Sequence, residues 1–140
     1  MKIAIINGPN LNLLGKRETD IYGNQPFEEY YQQLQNKFAA INFSFFQSNV
    51  EGELINEIQR TGFEFDGIIF NPGGYTHTSV AIGDAIAAIT TPVVEVHISN
   101  IFAREEFRKL SHVSAKCAGT ITGLGLKGYE LAVQYFSLKV

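Results

Sequence analysis

Residues 68 to 79 read "IIFNPGGYTHTS". The run from Ile68 to Phe70 is apolar at every position, which is typical of a parallel strand covered by helices on both faces. It stops at Asn71, turns through proline and two glycines, and then presents polar side chains as far as Ser79. The pattern predicts a buried strand that ends in a polar loop. The simplest alternative is that Asn-Pro-Gly-Gly only makes a turn at the end of the strand.

Short β-branched runs and longer segments of helical period alternate on both sides of this strand. Strands are predicted at residues 2–7, 41–48, 67–71, 92–98 and 119–124. Helices are predicted to begin near Pro26, Glu51, His77 and Tyr129, and a short one is expected around "REEFRKL" at 104–110. This alternation is typical of an α/β protein, so we expect a flavodoxin-like, doubly wound sheet of five parallel strands, with residues 1–140 forming a single domain.

Composition narrows the function classes. The chain has 140 residues, is 45% hydrophobic and carries a net charge of −3, without a basic stripe, which argues against a nucleic-acid partner. The start, "MKIAIING", lacks the features of a secretory leader, and no segment approaches the roughly 18 apolar residues of a membrane span. The lone Cys117 cannot form an internal disulfide. These features predict a cytoplasmic protein that does not bind membranes.

Polar segments follow three of the predicted strands. They are "NGPNLNLLG" at 7–15, "NPGGYTHTS" at 71–79 and "EVHISN" at 95–100. In open α/β sheets, ligands bind beyond the carboxyl ends of the strands, near the point where strand order reverses. The three segments are therefore predicted to form one pocket.

Glu95 and His97 lie two residues apart on the fourth predicted strand, so their side chains share one face. A carboxylate in a buried strand is costly unless it is paired. We therefore expect Glu95 to orient or tune the imidazole of His97 at the floor of the pocket. The alternative is a purely structural pair at the end of a strand.

The connection after the first strand, residues 8–24, is far longer than the about 2–6 residues of an ordinary βα loop. It contains Arg17 and Tyr22 between two glycines, Gly15 and Gly23, that would serve as hinges. This long loop is predicted to be a lid over the pocket. The alternative is a solvent-exposed loop without a function.

The remaining motifs do not indicate nucleotide, metal or thiol chemistry. "GLGLKG" at 123–128 matches a dinucleotide-binding pattern, but the chain ends soon afterwards without a second βαβ half, so a glycine-rich turn is predicted. The histidines, which are His77, His97 and His112, lack the spacing of a metal site. Cys117 is predicted to be a buried small side chain.

The charged run "REEFRK" at 104–109 is expected to be a solvated face. Because it follows the fourth strand, Arg104 or Arg108 would nevertheless be able to reach a substrate carboxylate.

Four stretches together resemble one enzyme family over essentially the whole chain. They are "NGPNLNLLGKRE" at 7–18, "YG" at 22–23, "NPGGYTHTSVAI" with "DA" two positions later, and "EVHISN" followed by "AREEFR". The chain is similar to the type II 3-dehydroquinate dehydratases. The resemblance implies reversible loss of water from 3-dehydroquinate, giving 3-dehydroshikimate, without a metal, a nucleotide cofactor or a Schiff-base lysine. It also implies a homo-oligomer, a dodecamer of four trimers.

The resemblance implies roles for individual residues. Tyr22 would remove the proton α to the carbonyl, Arg17 would favour the ionised form of that base, and His97 would protonate the departing hydroxyl. Asn10 and Asn71 would orient the base, the enolate or an ordered water.

The resemblance also implies how the substrate is held. Arg108, Ile98 and Ser99 would hold the substrate carboxylate and ring hydroxyls, and His77 would contact another hydroxyl. Asp84 would reach into the site of a neighbouring subunit.

The proposed base raises an electrostatic question. A tyrosine titrates near pH 10, and one adjacent cation lowers a pKa by about 1 to 3 units. A single arginine would leave such a base largely protonated at neutral pH. We therefore expect a second positive group, or closure of the long loop, to assist Arg17.

One position departs from the family pattern. The residue before Asp84 is frequently arginine in the family and is Gly83 here. Because glycine inside a helix costs about 0.5–1 kcal/mol relative to alanine, the departure bears on stability or assembly rather than on chemistry.

Two other classes of function are compatible with the predicted fold. A flavodoxin-like module that binds FMN or another phosphate ligand would share the fold, but the loop after the first strand lacks the Ser/Thr-rich character of a phosphate cradle. A non-catalytic scaffold would leave Tyr22, Arg17, Glu95 and His97 without a purpose. Whether such an enzyme serves aromatic biosynthesis or quinate breakdown stays open, since both use the same reaction.

Overall fold

The structure is a computed structural model that describes residues 1–138. Five parallel strands form one sheet: β1 (Lys2–Asn7), β2 (Asn42–Gln47), β3 (Gly67–Asn71), β4 (Val93–His97) and β5 (Gly119–Thr122). Their order is β2-β1-β3-β4-β5. The direction of winding reverses between β1 and β3, which is the flavodoxin-like topology that the sequence predicted.

Helices cover both faces of the sheet. They are α1 (Thr19–Tyr22), α2 (Phe27–Lys37), α3 (Glu51–Thr61), α4 (Val80–Ala87) and α5 (Lys127–Ser137). Alternate residues of β1 enter different cores, because successive side chains of a strand point to opposite faces. Ile3 and Ile5 pack with α2 and α5, whereas Ala4 and Ile6 pack with α3 and α4.

Several predicted boundaries were wrong. The helix expected near His77 begins at Val80, because Gly73–His77 forms a 3₁₀ turn and the Ser79 hydroxyl caps α4 by accepting a hydrogen bond from the Ile82 amide at 3.0 Å. The short helix expected at 104–110 is a 3₁₀ turn, Glu106–Lys109.

The remaining differences are small. The strands predicted at 41–48 and 92–98 are each one residue shorter at both ends, and α5 begins two residues before Tyr129. The last strand ends at Thr122 rather than 124, because Gly123 turns the chain with a φ of 87°. Within the segment 123–128, residues 123–126 form a glycine-containing turn, as predicted, and residues 127 and 128 are the first two of α5.

The loops after β1 and β3 are in direct contact at the carboxyl ends of their strands. The Gly8 amide donates to the Asn71 carbonyl at 2.7 Å, and a Cβ on Gly8 would lie 2.5 Å from the carbonyl oxygen of Pro72. Only glycine allows this approach. Within residues 1–138, none of the helices has the length and apolar character needed to cross a membrane.

Candidate active site

A cavity of about 210 Å³ opens at the carboxyl ends of β1, β3 and β4. Of the residues predicted to be catalytic, it brings together Asn10, Arg17, Tyr22, Asn71 and His97. Of those predicted to bind substrate, it brings together Asn71, His77, Ile98, Ser99 and Arg108. The three loops therefore converge on one cavity, at the edge of the sheet that the topology indicated.

Tyr22 stands at the end of α1, inside the long loop, and contacts two guanidinium groups. Arg104 Nη1 donates to the Tyr22 hydroxyl at 2.9 Å. The guanidinium carbon of Arg17 lies 4.6 Å from the centre of the Tyr22 ring, and Arg17 also pairs with Glu18 at 2.9 Å. A hydrogen bond from a guanidinium to a phenol oxygen is charge-assisted and therefore stronger than one between neutral groups.

The sequence did not predict that Arg104 contacts Tyr22. Arg104 or Arg108 was expected to reach a substrate carboxylate; in the structure, the Arg104 guanidinium also joins the Tyr22 hydroxyl to the Ser99 hydroxyl, which it contacts at 3.2 Å. It thereby connects the long loop to the end of β4. The signal in the sequence was the expectation that a second positive group assists the base.

His97 is the last residue of β4, and its ring is hydrogen-bonded to Glu95 through Nε2. Glu95 is fully buried beneath the cavity rather than lining it. Thr76 Oγ1 donates to one Glu95 oxygen at 2.6 Å, and Ser114 Oγ donates to the other at 2.6 Å.

These contacts decide the charge of Glu95. Burial acts to raise its pKa, but the hydrogen bonds from His97, Ser114 and Thr76 outweigh burial and hold the pKa below its ordinary value. An ionised carboxylate only accepts hydrogen bonds, so Nε2 of His97 carries the hydrogen in this pair. The hydrogen bond therefore fixes the orientation of the His97 ring relative to Glu95.

Asn71 is the last residue of β3 and is almost fully buried. Its Oδ1 accepts from the Gly73 amide at 3.1 Å, and its Nδ2 donates to the Tyr129 hydroxyl at 3.0 Å. Asn10 also lines the cavity, in a left-handed conformation with a φ of 70°, which asparagine tolerates better than most residues. The backbone amide of Asn10 donates a hydrogen bond to Asn49 Oδ1 at 2.9 Å.

His77 and Arg108 form the outer part of the cavity. The Nδ1 of His77 is 2.7 Å from the Leu110 carbonyl, so Nδ1 carries hydrogen and Nε2 is left as an acceptor when the ring is neutral. Burial lowers the pKa of His77, and the positive charges of His97 and Arg108 lower it further. Arg108 is held by Glu105, with Nε 2.5 Å from the carboxylate.

The cavity is electropositive although the whole chain carries a net charge of −3. Three arginines, Arg17, Arg104 and Arg108, line it together with one carboxylate, Glu18. A positively charged concave site attracts anions and raises their local concentration. This charge distribution suits a small substrate with a carboxylate.

Asp84 is a predicted site residue on the outer surface. It lies on the exposed side of α4 and does not line this cavity. The neighbouring Gly83 is buried against the segment that carries His112.

Two further predictions concerned metal and thiol chemistry. Within residues 1–138, the structure does not bring three or more His, Cys, Asp or Glu side chains together in a group that would hold a metal ion. Burial, and to a lesser degree the charge of Glu95, raises the pKa of Cys117 to about 12. Cys117 is half-buried rather than fully buried.

Comparison with known proteins shows the family to which the chain belongs. The family described as "Dehydroquinase class II" matches residues 1–137. A protein named 3-dehydroquinate dehydratase from Fusobacterium nucleatum is 56% identical, over 96% of this chain and 95% of its own length.

Solved structures agree. A type II dehydroquinase from Butyrivibrio crossotus superposes with a TM-score of 0.94 at 47% identity, over 98% of this chain and 97% of that one. The type II dehydroquinase from Propionibacterium acnes gives a TM-score of 0.92 at 39% identity, over 99% and 97% of the two chains. The chain therefore belongs to the class II dehydroquinases.

Proposed function

We propose that this chain converts 3-dehydroquinate to 3-dehydroshikimate and water by a trans elimination through an enolate. The proposal rests on one observation: a phenol and an imidazole, each hydrogen-bonded to a charged partner, line the same electropositive cavity. A phenol hydrogen-bonded by a guanidinium, Tyr22 with Arg104, stands on the long loop, and an imidazole oriented by a buried carboxylate, His97 with Glu95, stands at the end of β4. The relatives named 3-dehydroquinate dehydratase supply the identity of the substrate.

Tyr22 is the base in this proposal. Its phenolate removes a proton from the carbon α to the carbonyl, and the electron pair moves onto the carbonyl oxygen to give the enolate. The two arginines that contact Tyr22 stabilise the phenolate before this step, because Arg104 bonds its oxygen and Arg17 lies against its ring. A weakly acidic C–H requires preorganised donors at the developing oxyanion, and in this proposal Asn71 supplies one.

His97 is the acid. As the enolate collapses, the C–O bond to the departing hydroxyl breaks, and His97 in its protonated form gives its proton to that oxygen, so that water leaves. Ionised Glu95 stabilises the positive charge on the imidazolium before the transfer. Placing the base and the acid on different walls of the cavity suits removal of the two groups from opposite sides of the ring.

The outer residues hold the substrate. Arg108 binds the substrate carboxylate. Ile98, through its backbone, and Ser99, through its hydroxyl, bind the carboxylate or the ring hydroxyls. Neutral His77 accepts a hydrogen bond from a further ring hydroxyl. Asp84 completes the site of a neighbouring subunit in a dodecamer of four trimers, in the cytoplasm. The exposed position of Asp84 on α4 is compatible with this role.

An ultraviolet assay for the conjugated enone tests the proposal. Purified protein with 3-dehydroquinate is expected to form the enone rapidly, and to do so after treatment with a chelator and after borohydride. Tyr22→Phe and His97→Ala are expected to lose the activity.

Tyr135→Phe is the matched control for loss of a tyrosine hydroxyl, because Tyr135 is exposed on α5, away from the cavity, and this variant should retain activity. If the wild-type protein forms no enone under any of these conditions, the proposed function is wrong.

A further inference from the structure

A chain of hydrogen bonds lies directly beneath the floor of the cavity. Asn7 and Asn71 are the last residues of β1 and β3 and are register partners. The hydroxyl of Tyr129, which comes from α5, lies between their side chains, 2.8 Å from Asn7 Oδ1 and 3.0 Å from Asn71 Nδ2. Tyr129 is fully buried, and among the described residues Asn7 and Asn71 are the hydrogen-bond partners of its hydroxyl group.

The polarity of this chain is determined at one end by the backbone. The Gly73 amide only donates, so the Asn71 atom facing it must be the oxygen. The Asn71 nitrogen then faces Tyr129 and donates to it. The single hydrogen of the Tyr129 hydroxyl is therefore directed to the Asn7 oxygen.

The aromatic core fixes where the hydroxyl lies. The ring of Tyr129 packs against Phe27 with centroids 5.0 Å apart and against Tyr30 at 6.1 Å. Burial raises the pKa of Tyr129 above its ordinary value of 10.0, so the hydroxyl keeps its hydrogen across the pH range of an enzyme assay. A rigid ring with a permanently protonated hydroxyl is suited to holding a neighbouring amide.

From these contacts we infer that Tyr129 is a positioning residue for the proposed dehydration. Tyr129 accepts one N–H of Asn71 while the Gly73 amide bonds the Asn71 oxygen, and the two contacts together leave the second N–H as a donor for the cavity that Asn71 lines. A carboxamide can rotate by half a turn with little change in shape, and the rotated form would present an acceptor where the enolate needs a donor. The inference rests on the proposed function for its catalytic consequence only.

Tyr129→Phe removes the hydroxyl and keeps the ring. The variant is expected to lower kcat by about tenfold to a hundredfold while KM changes by less than about threefold, because the lost interaction belongs to the transition state. Tyr30→Phe is the matched control, since Tyr30 lies in the same aromatic core but does not bond to Asn7 or Asn71. It should stay within about twofold of the wild type in kcat.

A double-mutant cycle separates positioning from a general structural effect. In an Asn71→Ala background, adding Tyr129→Phe should lower kcat by less than about twofold, because the residue to be positioned is already gone. If Tyr129→Phe alone retains wild-type kcat, or costs the same factor in both backgrounds, the inference is overturned.

Crystal structures of the wild type and Tyr129→Phe keep the test independent of activity. The Asn71 side chain is expected to leave its contact with Gly73 or to occupy two orientations in the variant. An unchanged Asn71 side chain in the variant would overturn the positioning role. Absence of enone formation by the wild-type protein would instead count against the proposed function alone, because the structural comparison would still stand.

Discussion

Replacing Gly83 by alanine is expected to destabilise the fold. Helix propensity alone predicts the opposite, because alanine is more favourable than glycine inside a helix. Gly83 lies inside α4 and is buried against the loop that follows the 3₁₀ turn Glu106–Lys109. A Cβ placed on Gly83 would be 2.3 Å from the carbonyl oxygen of His112. That oxygen belongs to the backbone, and the same residue's amide is tied to the Thr76 carbonyl at 2.8 Å, so it cannot swing aside as a side chain would.

The magnitude follows from two opposing effects. Replacing a helical glycine by alanine gains about 0.5–1 kcal/mol, because the unfolded chain loses freedom. Overpacking a filled site costs about 1–3 kcal/mol. Since the obstacle is held backbone, we expect the cost to exceed the gain, and Gly83→Ala to lower the free energy of unfolding by about 1–2 kcal/mol, which corresponds to a fall in Tm of about 2–8 °C.

The same substitution should reach the active site. The loop that carries His112 also carries Ser114, whose hydroxyl donates to Glu95 beneath His97. Displacing the loop from α4 would weaken that bond. Gly83→Ala is therefore expected to lower kcat about three- to tenfold, although it lies outside the cavity.

Gly52→Ala is the matched control. Gly52 also lies in a helix, α3, but a Cβ there would meet open space, so the variant should be more stable than the wild type by up to about 1 kcal/mol. Unfolding by heat and by urea should be compared at one protomer concentration, because Tm of an oligomer depends on concentration. If Gly83→Ala is as stable as Gly52→Ala, the packing argument is wrong.

The other predictions concern the groups around the base and the acid. Ser114→Ala should lower kcat about three- to tenfold, because it removes the hydroxyl that donates to Glu95. Ser114→Thr keeps a hydroxyl and should retain more activity. Equal kcat values for the two variants would contradict this prediction. The pKa of Glu95 is held below its ordinary value of 4.5, so its ionised form stabilises the fold above that pH. The difference in free energy of unfolding between wild type and Glu95→Gln should therefore shrink as the pH falls below 4.5. A difference that does not change with pH would contradict this prediction. Arg104→Met should lower kcat more than Arg17→Met, because the Arg104 guanidinium bonds the phenol oxygen whereas that of Arg17 lies against the ring. Wild-type kcat in both variants would exclude this role for the two arginines.

The location of the site was predictable because it depends on local pattern and one topological rule. Runs apolar on both faces indicated parallel strands, and parallel strands bring their carboxyl ends to one edge of the sheet. Glu95 and His97 were predictable as a pair because a strand places alternate residues on the same face. These features are encoded within a few residues of chain.

The contacts that were missed are those between distant segments. Tyr22 and Arg104 are 82 residues apart, and their hydrogen bond depends on how the long loop packs over the end of β4. Tyr129 reaches the floor of the cavity from α5, 58 residues beyond Asn71. A sequence pattern indicates which residues share a face of one element, but it does not determine which hydroxyl of another element meets them.

The assignment of separate roles to Tyr22 and His97 is the central claim, and exchange of the α-hydrogen in deuterated water tests it most directly. The measurement follows, by proton NMR, loss of the signal from the carbon α to the carbonyl of 3-dehydroquinate alongside formation of enone. We expect His97→Ala to exchange this hydrogen faster than it forms enone, because the enolate still forms but the hydroxyl leaves slowly, and we expect Tyr22→Phe to do neither. Exchange by Tyr22→Phe at the wild-type rate, or equal loss of exchange and elimination in His97→Ala, would contradict the account.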